Sequence, residues 1–394
     1  DRAIPSALDG LKPVQRRILY SFVHDNNINN LVKLQKATGS IMGNFHPHGD
    51  SSIDGAVASM VQPWKNNVPL LVGQGGWGSM GGYNPSASRY IEVELPNSSA
   101  DLLFEDLKKE GVVPWEKNYN NELMEPKLLP VKIPVHLVNG TSGISYSMST
   151  NIPPFNLNEL TKAMLYLIDN KFWDNDTWKL DEHLDNLLAI IPGPDIPTRT
   201  NVIIHSNNGN KYAHITESNF SFGMRAKIEC DYENQQITIT NIPLNQFGSR
   251  IEEEIVNLAQ EFTTEKQGRK EIVTPRPQED ILQLSTSHIV QSDYDARDKI
   301  YCSITLTFKK DADLNVEKGK LLNKTSINTV FNAQLMVIND HGSPEQMSLY
   351  KNLRVLLHFR KRCVLAAKTF DINKQKEIIH LQNGLMIVLN DKET

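Results

Sequence analysis

The chain has 394 residues, 39% of them hydrophobic and 22% charged, with a formal net charge of −5. That length and apolar content support roughly two or three domains with their own cores and exclude wholesale disorder. No apolar run is long enough to span a bilayer, and no signal peptide opens the chain. The acidic balance does not of itself point to nucleic acid, but the charge is uneven: residues 1–65 hold seven Lys/Arg against five Asp/Glu, and residues 66–130 hold five against nine. A local basic surface is therefore open to phosphates. Cys230, Cys302 and Cys363 lie far apart with no C-x-x-C, which argues against a disulfide framework or a zinc site and for a reducing cytosol. Because the sequence opens on Asp1 rather than Met, it is expected to begin inside a longer protein, and its end to interrupt a helix.

In chain order, Pro13 suits a first helical turn, and Val14, Ile18, Leu19 and Phe22 follow at helical spacing. The polar stretch 25–30 breaks that helix, and a second helical pattern covers 34–42. Residues 43–49 are a turn signal. Asp50 or Ser51 is expected to cap a third helix, with Ile53, Ala56, Val57, Met60 and Val61 in one apolar stripe. Two short helices about a tight turn make a helix-turn-helix, although the same pattern in isolation also describes an ordinary helical corner. A glycine-rich loop, 73–82, leads into 88–95, which alternates like a strand edge. Strand-like runs at 200–205, 226–230, 236–242 and 300–308 mix with helical ones at 157–169 and 250–261, the pattern of a separate α/β domain. From Leu349 the chain reads as helix to its end.

Several blocks of residues go further. They are Asp1-Arg2-Ala3-Ile4-Pro5 with Asp9-Gly10-Leu11-Lys12-Pro13-Val14-Gln15-Arg16-Arg17, and His46-Pro47-His48-Gly49-Asp50-Ser51 followed by Gln62-Pro63. Next come Gly73-Gln74-Gly75 with Gly78-Ser79, ending in Ala87-Ser88-Arg89-Tyr90. Then follow Asn139-Gly140-Thr141-Ser142-Gly143-Ile144, Thr150-Asn151-Ile152-Pro153-Pro154 and Ile191-Pro192-Gly193-Pro194-Asp195. In this order and spacing, over residues 1–200, they resemble the breakage–reunion subunits of type IIA DNA topoisomerases, the gyrase A and topoisomerase IV C subunits. Compact phage-type versions of that subunit are included in the resemblance. Similarity is looser at Ile239-Thr240-Asn241-Ile242-Pro243 and over 331–362.

The resemblance implies an α+β fold: a winged-helix (helix-turn-helix) DNA-cleavage domain over 1–125, an α/β tower domain over 126–330, and the start of a coiled-coil arm over 331–394. It implies that Tyr90 is the nucleophile. A tyrosine suits reversible strand cleavage because its phenolate forms a phosphodiester with the DNA and keeps the bond energy for resealing. An unperturbed phenol titrates at about 10, so it needs help at neutral pH. Arg89 beside it can supply positive charge to the scissile phosphate and the phenolate. By resemblance, Arg2 contacts the same phosphate and His48 serves as hydrogen-bond donor or proton relay. The helix after His48 becomes the DNA-facing one, with Lys12, Arg16, Arg17, Lys33, Lys36, His46 and Ser51 along the duplex, mostly on its backbone. Ile144 matches a wedge residue that parts base pairs and bends the duplex.

Asp50 and the two histidines could be read as a metal site, but Pro47 fixes a turn between the rings. The family instead holds Mg2+ on a gyrase B-like, ATPase-bearing partner subunit, so both Mg2+ and ATP are expected there, with no metal in this chain. The partners implied are double-stranded DNA, a second copy of the chain and that ATPase subunit. One tyrosine per chain holds one strand, so a double-strand break needs a homodimer. The family's quinolone site uses a Ser and an acidic residue four positions later; here these are Ser51 and Gly55, with Asp54 displaced by one, so reduced fluoroquinolone sensitivity is expected. The rival reading is a non-catalytic DNA-binding or architectural protein, against which stand Tyr90 and Arg89. A divergent type IIB subunit is a second rival, against which stand His46–Asp50 and the Gly73–Gly75 loop.

Overall fold

The computed structural model describes residues 2–173, 178–204, 209–267, 270–290 and 302–391. Of the strand-like runs, His205 and residues 300–301 lie outside the described residues. Three helices form the N-terminal body: α1 (Pro13–His24), α2 (Leu34–Asn44) and α3 (Asp50–Val61). Pro13 stands at the start of α1, where its missing N–H costs nothing. The buried faces are Ile18, Leu19 and Phe22 on α1, Leu34, Ala37 and Ile41 on α2, and Ile53, Val57, Met60 and Val61 on α3. Their spacing of three and four places one apolar stripe per helix toward a common core.

The start of α3 differs from the sequence expectation. Gly49 is the N-cap, with no side-chain cap bond. Asp50 lies inside the first turn, where its carboxylate accepts the Ser51 N–H at 2.7 Å. A carboxylate there still complements the positive helix end.

A small antiparallel sheet closes the body, with β1 (Val32–Lys33), β2 (Val72–Gln74) and β3 (Glu92–Glu94) in the order β1-β3-β2. Val93 pairs with both Val32 and Gly73. The strand is shorter than 88–95: Ser88, Arg89 and Tyr90 form a turn, closed by the Tyr90 N–H on the Ala87 carbonyl at 2.9 Å.

Beyond the body lie two larger sheets. One has five strands, in the order Thr141–Ile144, Ser149–Ile152, Asn328–Gln334, Asn219–Arg225, Asn201–Ile204. The other has four, in the order Lys227–Asp231, Gln236–Thr240, Ser303–Phe308, Leu284–Val290. The helix Leu157–Asp169 matches the sequence expectation, and Asn156 caps it by accepting the Asn158 N–H at 2.9 Å. The helix expected at 250–261 spans Gly248–Leu258. The helix Leu349–Asp391 buries Leu349, Leu353, Leu356, Phe359, Cys363 and Ala367. From Ile372 onward its apolar side chains are exposed.

The buried side chains form two clusters. The first runs from Ala7 to Met224 and takes in Phe331 to Ala367. The second gathers residues between Ala226 and Ile327, together with Trp64 and Met80 from the N-terminal body. Side chains between 129 and 224 pack with the first cluster, and the second ends at Ile327.

Candidate active site

The turn bearing Tyr90 is fixed by its neighbours. The backbone N–H of Leu34 donates to the Ile91 carbonyl at 3.0 Å and that of Gln35 to the Ser88 carbonyl at 3.2 Å. These are first-turn donors of α2, which have no partner within the helix. The turn therefore caps α2, and α2 holds the turn. Ile91, Val93 and Leu95 anchor the following segment in the core. Tyr90 itself is 65% exposed, and its hydroxyl has no hydrogen-bond partner among the described residues. The Arg89 guanidinium carbon lies 4.6 Å from the Tyr90 ring centroid. A cation at that range on an exposed ring is attracted to its face.

The glycine-rich loop, 73–82, buries Trp77 and Met80. It wraps Trp77, which is fully buried, and a Cβ on Gly73 would fall 2.2 Å from the Trp77 indole nitrogen. The loop then docks on the helix Gly248–Leu258: the Gly248 N–H donates to the Met80 carbonyl at 2.8 Å and the Ser249 N–H to that of Gly81 at 2.9 Å. Met80 is buried in the second cluster. The segment that ends at Tyr90 is thus tied to both clusters.

Arg2, Arg17, His46 and His48 line a separate cavity of about 770 Å³, together with Glu125 and His341. Tyr90 and Arg89 are not among its lining residues. His46 and His48 have ring centroids 4.3 Å apart, tilted by 63°. His46 is buried, and burial pushes its pKa down to about 4, helped by His48, Arg17 and Arg2. It is therefore neutral at pH 7, and its Nδ1 faces Arg17 Nη1 at 3.5 Å, where only the acceptor form fits a donor-only guanidinium. His48 and Arg2 are exposed.

The cations expected along a duplex have different fates. Arg16 donates to Asp9 at 2.7 and 2.9 Å, and Asp9 is fully buried. Burial opposes the Arg16 charge, but Asp9, with Glu116 and Glu125 beyond it, raises its pKa above the usual value. Asp9 also accepts the backbone N–H of Leu11 and Leu129, each at 3.1 Å. Arg16 therefore braces the fold through Asp9. Arg17 is bound to Glu125 at 2.8 Å and remains partly exposed. Lys33 pairs with Glu92 at 3.0 Å on the surface. Lys36 is exposed and makes no ion pair among the described residues. Lys12 donates to the Ser142 carbonyl, and burial lowers its pKa.

Ser51 and Gly55 are exposed on α3, and a Cβ at Gly55 would meet nothing within 4 Å. Asp54 accepts from Thr38 Oγ1 at 2.5 Å, which turns it toward α2. Ile144 is 87% exposed on a β-hairpin. Other motif residues are scaffolding. Asn139 pairs its side-chain amide with both backbone groups of Val68 at 2.8 Å, and Asn67 Nδ2 reaches the carbonyls of Val138, Phe155 and Asp195. Sequence reasoning missed Glu125, Asn67 and Tyr146. Only Tyr146, two residues after Ile144, had a signal in its position.

Among the described residues no three His, Cys, Asp or Glu converge as metal ligands, and no helix is long and apolar enough to cross a membrane. An exposed Arg–Tyr pair beside two helices joined by a tight turn fits a protein that handles nucleic acid, and comparison with known proteins specifies the family. The model of the DNA gyrase/topoisomerase IV A-subunit family matches residues 2–394. The chain belongs to that family. It is 36% identical to the DNA topoisomerase 4 A protein of Streptococcus pyogenes, over 99% of this chain and 44% of that protein. It is 33% identical to the DNA gyrase A protein of Haemophilus influenzae, over 98% of this chain and 40% of the relative. For the DNA gyrase A protein of Thermotoga maritima the identity is 30%, over 98% and 44%. The chain thus spans less than half the length of these relatives.

Proposed function

We propose that this chain is the cleavage and religation part of an ATP-dependent type IIA topoisomerase, with Tyr90 as nucleophile. The observation that supports it most is the exposed Tyr90 on a turn locked to α2, with the Arg89 guanidinium over its ring. In this reading the Tyr90 phenol loses its proton and its oxygen attacks a backbone phosphorus. The bond to the 3′ oxygen breaks, leaving a 5′-phosphotyrosyl link and a free 3′-hydroxyl. Resealing is the reverse. Arg89 neutralises charge on the phosphate and phenolate, Arg2 binds the same phosphate, and His48 donates a hydrogen bond to it or relays the Tyr90 proton toward the leaving 3′ oxygen.

Tyr90 does not line its own chain's Arg2–His48 cavity, which favours a site completed between two copies and so a homodimer. The helices α1–α3 with the sheet β1-β3-β2 suit a winged-helix domain, α2 and α3 suit a helix-turn-helix on the duplex, and residues 126–330 are read as the tower. Lys12, Arg17, Lys33, Lys36 and Ser51 remain proposed backbone contacts, and Ile144 the wedge. His46 acts from beneath, by positioning Arg17 and His48. Mg2+ and ATP belong in this reading to a gyrase B-like subunit, and no step here is routed through either.

The test is the site of the adduct. The protein is trapped with its ATPase partner on plasmid by detergent, digested with nuclease and analysed by mass spectrometry. A nucleotide mass on the peptide containing Tyr90 is expected; a modified residue elsewhere, or none, overturns the assignment.

A further inference from the structure

The hairpin Thr141–Ile144/Ser149–Ile152 is rigid at its foot and bare at its tip. At the foot, Ile152 pairs with Thr141 and Asn151 with Ser142, and Gln334 extends the sheet from Asn151. The Ser149 hydroxyl bonds Gln334 Oε1 at 2.6 Å and the Thr150 hydroxyl the Met336 carbonyl at 2.8 Å. Lys12 clamps the Ser142 carbonyl, and a Cβ on Gly143 would fall 2.1 Å from the Ala3 carbonyl oxygen. The tip closes with the Ser145 N–H on the Met148 carbonyl at 2.8 Å. Two large side chains stand free there: Ile144, 87% exposed, and Tyr146, 106% exposed. Tyr146 makes no side-chain hydrogen bond among the described residues. The hairpin, residues 141–152, contains no charged residue, and Lys12 and Lys65 line the cavity at its foot.

A fully exposed aromatic ring on a stiff support is free to stack on a flat apolar partner with little loss of side-chain freedom. Cations at the foot and an uncharged tip fit a polyanion whose interior is aromatic, and any base offers a π-face. We propose that Tyr146 is a second duplex-contact residue, whose ring stacks on the base uncovered where Ile144 parts the stack. This rests on the DNA reading above and adds to it an aromatic platform, so that the bend is held by two side chains rather than one. The contact is made by a neutral ring, so it adds affinity without adding salt dependence.

The experiment uses the full protein with its ATPase partner and a fluorophore-labelled duplex of about 30 base pairs, long enough to report a bend. Wild type, Tyr146→Ala, Tyr146→Phe and Ile144→Ala are compared for affinity and end-to-end energy transfer over a salt series. Tyr146→Ala should weaken binding by about tenfold and reduce the bend, with an unchanged salt slope, while Tyr146→Phe stays within about twofold of wild type. If Tyr146→Ala binds and bends like wild type while Ile144→Ala does not, the stacking role falls and the DNA reading stands. A Tyr146→Phe as weak as Tyr146→Ala also overturns stacking, because the hydroxyl would then carry the contact. Loss of binding to the ATPase partner with DNA binding intact would make the tip a protein surface and overturn the proposal. If wild type itself does not bind the duplex, both readings fall.

Discussion

Replacing Arg16 by Met tests whether the first cation of α1 serves the fold or the DNA. In the folded chain Asp9 is fully buried, and Arg16 supplies two of its four hydrogen bonds. Methionine preserves much of the side-chain volume but leaves the carboxylate charged, buried and half satisfied. Breaking one partner of a buried pair costs about 3–5 kcal/mol, because the remaining charge has lost both its counter-ion and its water. A surface lysine contact to phosphate behaves oppositely: its loss leaves stability within about 0.5 kcal/mol and lowers the salt slope of binding by about one. Urea unfolding followed by tryptophan fluorescence gives the first quantity, and duplex binding over a salt series gives the second. Arg16→Met should lose several kcal/mol and keep the wild-type slope in the fraction that is folded, whereas Lys36→Ala should keep its stability and lose slope. An Arg16→Met protein as stable as wild type with a reduced slope would refute the reasoning and return Arg16 to the DNA.

Gly82→Ala should displace the loop that leads to Tyr90, because φ is +112° there and the new Cβ would lie 2.2 Å from Ser249 Oγ. Strand cleavage should fall at least tenfold with duplex binding retained, and unchanged cleavage would show that docking on the helix Gly248–Leu258 does not position the tyrosine. His136 is fully buried against Asn352, and burial lowers its pKa to about 4, as it does for His46. Both therefore take up protons more readily in the unfolded chain, whose histidines titrate near 6.5. Stability is full above pH 6.5 and falls as pH drops toward 4, with His136 contributing on the order of 3 kcal/mol; urea midpoints that stay flat from pH 7 to 4.5 would contradict this. Gly55→Ala should stabilise α3 by roughly 1 kcal/mol, since the position is exposed and open. Gly55→Glu should raise fluoroquinolone-induced cleavage, and wild-type potency equal to that of ordinary bacterial enzymes would refute the expectation drawn from Gly55.

The three N-terminal helices were legible in the sequence because apolar residues recur at three and four along them and Pro13 marks a start. Much of the α/β region was not. The strands Asn219–Arg225 and Asn328–Gln334 alternate buried Phe220, Phe222 and Met224, and Phe331 and Ala333, with weak strand formers such as Asn219, Ser221, Gly223, Asn332 and Gln334, and long-range pairing with each other makes them central to the five-stranded sheet. The helix Leu314–Lys324 contains Asn315, Val316, Gly319 and Asn323, so its propensity is weak, and burial of Leu314 and Leu321 decides the matter. At the site, Arg89 and Tyr90 were found through their motif, whereas the turn that presents them depends on donors from α2, more than fifty positions earlier in the chain. Arg16 and Arg17 read alike in sequence. Only the fold reveals that one faces Asp9 and the other Glu125, because both acids come from segments whose position local pattern does not give.

The central claim is that the Tyr90 oxygen forms the bond to DNA, and the most direct test compares wild type with Tyr90→Phe in a detergent-trapped cleavage assay on supercoiled plasmid, with the ATPase partner and magnesium present. Removing a hydroxyl that has no intramolecular partner among the described residues should leave folding and duplex binding within about 0.5 kcal/mol of wild type. The account predicts linear DNA with protein on its 5′ ends for wild type and none for Tyr90→Phe. Cleavage by Tyr90→Phe at the wild-type level, or a wild type that binds DNA beside an active partner and never cleaves it, would contradict it.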